Sequence, residues 1–176
     1  KRSLPRYGGC ARRSNMHLTK RQTFYVDPGF VYFSKKATLL RAVVGSCVAV
    51  CLWDKQMKCG GMNHFMKPSA HDKSEATPVY GNAGIAALIK MMEEAGCEKG
   101  NVVAHILGGG APDGETSPTL GEQNVAAARV TLTRKQIAIL AEDVGGPVGR
   151  KIAFDTATGE LAVLKTTNVR TGDWFA

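Results

Sequence analysis

The strongest constraint on the fold of this chain is a pair of apolar runs. Val48-Ala49-Val50-Cys51-Leu52-Trp53 is β-branched and apolar enough to require a buried strand, and Met62 to Met66 is a second short run behind Gly60-Gly61. Asp54-Lys55-Gln56-Met57 lies between them and reads as the turn of an antiparallel hairpin. With the turn centred between Lys55 and Gln56, Cys47 falls opposite His64, with Cβ atoms about 4.5–5.5 Å apart on one face. Lys-Gln is not the Asn-Gly type that two-residue hairpins favour, but a four-residue loop over 54–57 keeps this register. A three-residue loop would slip the pairing by one and turn His64 to the other face.

A thiol beside an imidazole is a candidate nucleophile and base, because the imidazole can take the thiol proton. The same residues have a plainer reading. Free cysteine is among the most buried residue types, and a lone histidine in a sheet is commonly a core residue. Spacing alone leaves both open.

Longer motifs surround the pair. Val44-Gly45-Ser46-Cys47-Val48-Ala49-Val50-Cys51-Leu52-Trp53-Asp54 and Gly60-Gly61-Met62-Asn63-His64-Phe65-Met66-Lys67-Pro68 are followed by Tyr80-Gly81-Asn82, Gly108-Gly109-Gly110-Ala111 and Leu120-Gly121-Glu122-Gln123-Asn124-Val125. Ala141-Glu142-Asp143-Val144-Gly145-Gly146 and Gly149-Arg150-Lys151 complete the set. Over roughly residues 25–170 the chain resembles the CheD-type chemoreceptor glutamine deamidases. The resemblance implies a protein-glutamine glutaminase that hydrolyses side-chain amides of selected glutamines in methyl-accepting chemotaxis receptors, with Cys47 as nucleophile and His64 as base. It implies no cofactor and no metal. The thiolate would attack the amide carbonyl and form a thioester, which water hydrolyses. The oxyanion would need fixed donors, and the backbone at Gly45, Ser46 and Cys47 is the nearest source. Gly45 as a simple bend and Ser46 as a solvent-facing hydroxyl are the ordinary alternatives.

The chain departs from the family pattern in one respect. Family members carry a third catalytic residue, a threonine, five or six residues before the cysteine, where this sequence has Ala42 and Arg41. Thr38, nine residues ahead, is the nearest threonine. The expectation is that another group orients His64, since a backbone carbonyl fixes an imidazole tautomer as well as a hydroxyl does. Gln123 stands where the family often has arginine, with no role assigned. The alternative to a deamidase is a weakly catalytic or non-catalytic adaptor that docks on a CheC-type phosphatase, a partner the resemblance implies. A catalytic Cys47 is expected to alkylate well below pH 8 and ahead of the other four cysteines.

Composition excludes several other classes. Of the net charge of +8, residues 1–22 supply seven basic side chains and no acid, leaving 16 basic against 15 acidic residues beyond them. Residues 1–24 therefore read as a basic flexible arm, and 25–176 as a single domain of near-neutral charge. The arm has no recognition helix or stacking aromatics, so specific nucleic-acid reading is not expected. No apolar run is long enough to span a bilayer, and no hydrophobic signal segment opens the sequence, which points to the cytoplasm. The sequence starts at Lys1, as a piece of a longer chain would. Five cysteines without framework spacing suggest a reducing compartment. A zinc site from Cys47, Cys51, Cys59 and His64 would need a helix at 47–51, because residues four apart on a strand are about 13 Å apart.

The remaining elements form a scaffold. Phe30 to Phe33 reads as a strand, and Asn82 as the cap of a helix over Ala83 to Ala95 that Gly96 stops. Asn101 to Leu107 reads as a strand entering a tight glycine turn, with His105 a satisfied core histidine. A helix from Glu122 to about Thr131, a strand Ile137 to Leu140 and a hairpin of Lys151–Phe154 with Leu161–Lys165 follow. Pro68 to Pro78 is a surface loop. The expected fold is α+β, a two-layer mixed β-sheet, sandwich-like core with helices packed outside.

Overall fold

The computed structural model of the chain describes residues 21–167, the Lys73 side chain apart. Residues 1–20, most of the expected basic arm, lie outside the described residues, as do 168–176. Nine strands and two α-helices follow one another as β1 (Gln22–Tyr25), β2 (Phe30–Ser34), β3 (Thr38–Val44), β4 (Val48–Asp54), β5 (Cys59–Phe65), α1 (Gly81–Glu94), β6 (Val102–Gly108), α2 (Leu120–Arg134), β7 (Ala138–Val144), β8 (Gly149–Asp155) and β9 (Leu161–Thr166). β1 thus claims residues 22–24 from the segment read as an arm.

Two mixed sheets form, one ordered β1-β3-β8-β9 and the other β2-β5-β4-β6-β7. Alternation along β4 explains the layers. Ala49 and Cys51 face Leu40, Ala42, Val44, Ile152 and Phe154 between the sheets. Val48, Val50 and Leu52 face Ile85, Leu88, Ile89 and Val125 of the helices. The five-stranded sheet is buried on both faces, which is why β4 reads as a continuous apolar run. The expected sandwich with helices outside is the observed architecture, with both helices on one side.

The hairpin register differs from expectation by two residues. β4 and β5 pair Asp54 with Cys59 and Ala49 with His64, so the loop is 55–58 rather than 54–57. Asp54 sets it: its Oδ1 accepts the backbone N–H of Gln56 and Met57 at 2.8 and 2.9 Å, and Lys58 closes the turn with φ 55°. A shift of two preserves faces, since side chains alternate with period two.

Other details correct the sequence reading. Tyr80 is the N-cap of α1. Asn82 lies inside the helix, and its side chain holds Ala70 through N–H and C=O at 3.0 Å each, pinning the Pro68 loop to the helix. α2 starts earlier than expected because Thr119 and Glu122 form a reciprocal capping box. His105 is buried, but among the described residues its Nδ1 has no hydrogen-bond partner. The glycine turn and the β8–β9 hairpin are as expected, with Gly159 at φ +74° against the Trp53 ring.

Gly60 and Gly61 occupy positions where strands pass too close for a side chain. A Cβ on Gly61 would lie 2.4 Å from the Tyr32 carbonyl oxygen and 2.6 Å from Leu88 Cδ1. Gly61→Ala is therefore expected to lower the unfolding free energy in urea by about 1–3 kcal/mol or more. Gly100→Ala, whose Cβ would meet no atom within 4 Å, serves as the control, with an effect of about 0.5 kcal/mol or less. Equal effects of the two substitutions would refute the close-approach account.

Candidate active site

His64 lies on the inter-sheet face of β5, between Phe30 of β2 and Ala49 of β4, and is fully buried. The segment that crosses from β1 to β2 grips it twice. The Val26 carbonyl oxygen sits 2.9 Å from His64 Nδ1, and the Gly29 N–H donates to the His64 carbonyl at 2.6 Å. A carbonyl only accepts, so Nδ1 carries the proton and Nε2 is left with its lone pair. Nε2 is buried and makes no hydrogen bond among the described residues.

This arrangement replaces the missing hydroxyl. Ala42 and Arg41 line one small cavity with Val26, Asp27 and His64. Arg41 turns outward, donating to the Tyr25 hydroxyl at 3.2 Å, and Ala42 presents only a methyl group. Thr38 is already engaged: its hydroxyl donates to Lys36 O at 3.0 Å and lies 3.1 Å from Ser34 Oγ. The group within hydrogen-bond reach of the imidazole is the Val26 carbonyl.

Cys47 lies in the bend 45–47 that crosses from β3 to β4, one residue before the strand. The observed register moves it from directly opposite His64 to a position two rungs away, one step past the Val48–Phe65 pair that ends the ladder. Carried one residue past the strand, the alternation of β4 would put position 47 on the inter-sheet face that His64 occupies. The thiol is half-buried, whereas Cys51, Cys59 and Cys97 are buried. The bend is tied down through its carbonyls. Gly110 N–H donates to Gly45 O at 2.7 Å and Gly109 N–H to Cys47 O at 2.8 Å. Asn124 Nδ2 donates to Ser46 O at 2.9 Å. Gly108 is forced by this contact, because a Cβ there would lie 2.3 Å from Cys47 O. Gly45 and Ser46 also line an open groove of about 540 Å³ with Ala111, Pro112, Leu120 and Val148.

A buried cation lies behind Val148, one of the residues lining that groove. Arg150 is 2% exposed and donates to Asp143 Oδ1 at 2.9 and 3.0 Å, to Gly145 O at 2.7 Å and to Val148 O at 3.0 Å. Burial pushes the Asp143 carboxyl up, but Arg150 and Lys165 together hold it below its ordinary range. Sequence reading missed Val26, Asn124 and Arg150 as site-shaping residues. Gln123 donates to Pro118 O at 2.9 Å.

The electrostatics favour a neutral pair. Burial lowers the His64 pKa, and the Val26 carbonyl and the nearby Asp27 charge offset this only in part. Burial raises the Cys47 pKa against the opposing pull of its own backbone N–H. Both shifts favour a thiol and a neutral imidazole at rest, the direction opposite to the expectation of a thiolate reactive well below pH 8. Alkylation of Cys47 by iodoacetamide, followed by peptide mapping, is expected to rise with pH to a midpoint above the ordinary thiol value of 9.0. It is still expected to precede labelling of the buried Cys51, Cys59 and Cys97. A labelling plateau below pH 7 would reveal a preformed ion pair instead.

Comparison with known proteins adds independent information. The family described as CheD chemotactic sensory transduction matches residues 66–165. A "Probable chemoreceptor glutamine deamidase CheD" of Sulfurimonas denitrificans is 36% identical over 140 residues, covering 78% of this chain and 90% of the relative. Proteins of the same name from Trichlorobacter lovleyi and Rhodospirillum rubrum are each 38% identical. The first covers 77% of this chain and 86% of its own length, the second 79% and 80%.

Proposed function

This chain belongs to the CheD family, and we propose that it is a chemoreceptor glutamine deamidase working through Cys47 and His64. The observation that carries the residue assignment is a buried imidazole with Nδ1–H fixed on Val26 O and an Nε2 that has no partner among the described residues, with the half-buried Cys47 in the bend that leads into the neighbouring strand β4. That tautomer can only act as a base through Nε2.

The reaction follows from the protonation states. As the receptor glutamine enters, Cys47 Sγ attacks its side-chain carbonyl carbon while the thiol proton passes to His64 Nε2, since a resting thiol must lose its proton as it attacks. The carbonyl oxygen becomes an oxyanion beside the Cys47 N–H, the donor that already lies against the sulfur. The imidazolium returns the proton to the amide nitrogen, the C–N bond breaks and ammonia leaves a thioester. Water then gives a proton to Nε2 and attacks the thioester, releasing glutamate and the thiol. Val26 O and Asp27 stabilise the transient imidazolium, the first by hydrogen bond and the second by charge.

In this reading the substrate is a methyl-accepting chemotaxis receptor, and the protein works in the cytoplasm with a CheC-type phosphatase as a further partner. Among the described residues no helix is long and apolar enough to cross a membrane. The adaptor alternative draws on the absent threonine; the Val26 carbonyl, 2.9 Å from His64 Nδ1, supports the catalytic reading instead.

Incubation of a receptor cytoplasmic fragment with the protein is expected to add about one dalton per converted glutamine by intact mass. Cys47→Ala is expected to abolish the gain, and His64→Ala to slow it by about 10²–10⁴-fold. No gain with wild type on a susceptible fragment would sink the enzymatic reading. The pH profile is a second test. His64 must be neutral, and burial holds it neutral to lower pH than the ordinary 6.5. Activity is therefore expected to fall only as pH drops through a value below 6.5, and an acid limb above it would contradict the assignment.

A further inference from the structure

We infer that Asn124 is a positioning residue for the proposed deamidation, its side-chain amide setting the gap between the strand ends that carry Cys47 and His64. The inference rests on the deamidase reading and adds to it a residue that the chemistry alone does not name.

The geometry begins where the β4–β5 ladder ends. Val48 and Phe65 form its last rung, and one step further Cys47 would pair with Met66. The strands part instead. Cys47 O accepts from Gly109 N–H at 2.8 Å, and Met66 N–H donates to Val79 O at 3.0 Å. Into this fork α2 inserts Asn124, whose Nδ2 donates to Ser46 O at 2.9 Å and to Met66 O at 3.0 Å. One NH₂ group thus ties the residue before Cys47 to the residue two after His64. A fork with two carbonyl oxygens facing each other and no donor between them would open.

The surroundings argue against a packing role. Asn124 is fully buried on the α2 face formed by Gly121, Val125, Ala128 and Leu132. Its Oδ1 has no hydrogen-bond partner among the described residues, which is costly for a buried amide. Helix packing alone is better served by an apolar side chain of the same size. The amide is retained where its two protons meet two carbonyls that flank the reactive residues. Burial favours a thiol and a neutral imidazole, so a proton must cross that gap as Cys47 attacks, and misplacement on the order of an ångström costs about 10²-fold.

Asn124→Leu keeps the volume and removes both donors. Deamidation of the receptor fragment is to be followed for wild type, Asn124→Leu and His64→Ala across pH, with thermal melts to confirm folding. We expect Asn124→Leu to fold, to lose at least about tenfold in kcat and to change KM by less than about threefold. Its pH–rate profile is expected to lose the wild-type plateau and climb with pH as that of His64→Ala does, because thiol ionisation then replaces transfer to Nε2. A kcat within about threefold of wild type, or a lowered kcat with the wild-type profile, would overturn the inference. If Asn124→Leu fails to fold, Asn124→Ser, smaller and with one donor, carries the same test. An inactive wild type would bring down the deamidase reading itself, whereas an active wild type with an unaffected variant would overturn the role of Asn124 alone.

Discussion

The site depends on two crossings between sheets at the same end of the sandwich. β1 and β3 run parallel in one sheet, and Phe30 and Ala49 flank His64 in the other. The segments 26–29 and 45–47 therefore pass from sheet to sheet side by side. One presents a carbonyl to the imidazole and the other carries the thiol. Neither is a regular element, so each is held by hydrogen bonds from outside itself: Gly29 on His64, Gly109 and Gly110 on the 45–47 bend. The thiol and the carbonyl that meets the imidazole thus sit on irregular backbone, while His64 itself projects from the regular strand β5.

The sequence reveals the elements of this design better than their joints. β4 and β5 were legible because a strand buried on both faces must be apolar throughout, and α1 because Ile85, Leu88, Ile89 and Met92 recur at helical spacing. The register was not, because it depends on which polar atom closes the turn. Asp54 Oδ1 captures two N–H groups, and Lys58 accepts a left-handed backbone, neither of which residue type alone dictates. The error of two residues left the face of every side chain correct. An error of one would have turned His64 toward the helices.

The groups that sequence reading missed act through atoms every residue has, or through an exception to a pattern. The Val26 carbonyl carries no signature, since any residue at 26 would offer one. Asn124 does leave a trace, as the one amide on the helix face of Gly121, Val125, Ala128 and Leu132. Arg150 leaves a similar trace, a cation two residues before Ile152 in an inward-facing alternation. Polar residues at positions the hydrophobic pattern assigns to the interior were the available signal, because burying such a group without partners is too costly to be incidental.

Exchanging a hydroxyl for a backbone carbonyl has consequences for the imidazole. A hydroxyl donates or accepts and can rotate, so it tolerates either tautomer of its partner. The Val26 carbonyl only accepts, which fixes the proton on Nδ1 and leaves Nε2 as the single basic position. Its location is set by β1, because Val26 N–H donates to Arg41 O at 2.8 Å and extends the pairing with β3. The orientation of the base thus depends on an edge strand of four residues rather than on a side chain next to the cysteine. Anchoring of β1 by the Arg21–Asp155 ion pair and by the stacking of Phe24 on Tyr32 then bears on the placement of the imidazole as well as on the edge of the sheet. A perturbation confined to β1 reaches the imidazole without touching either reactive residue.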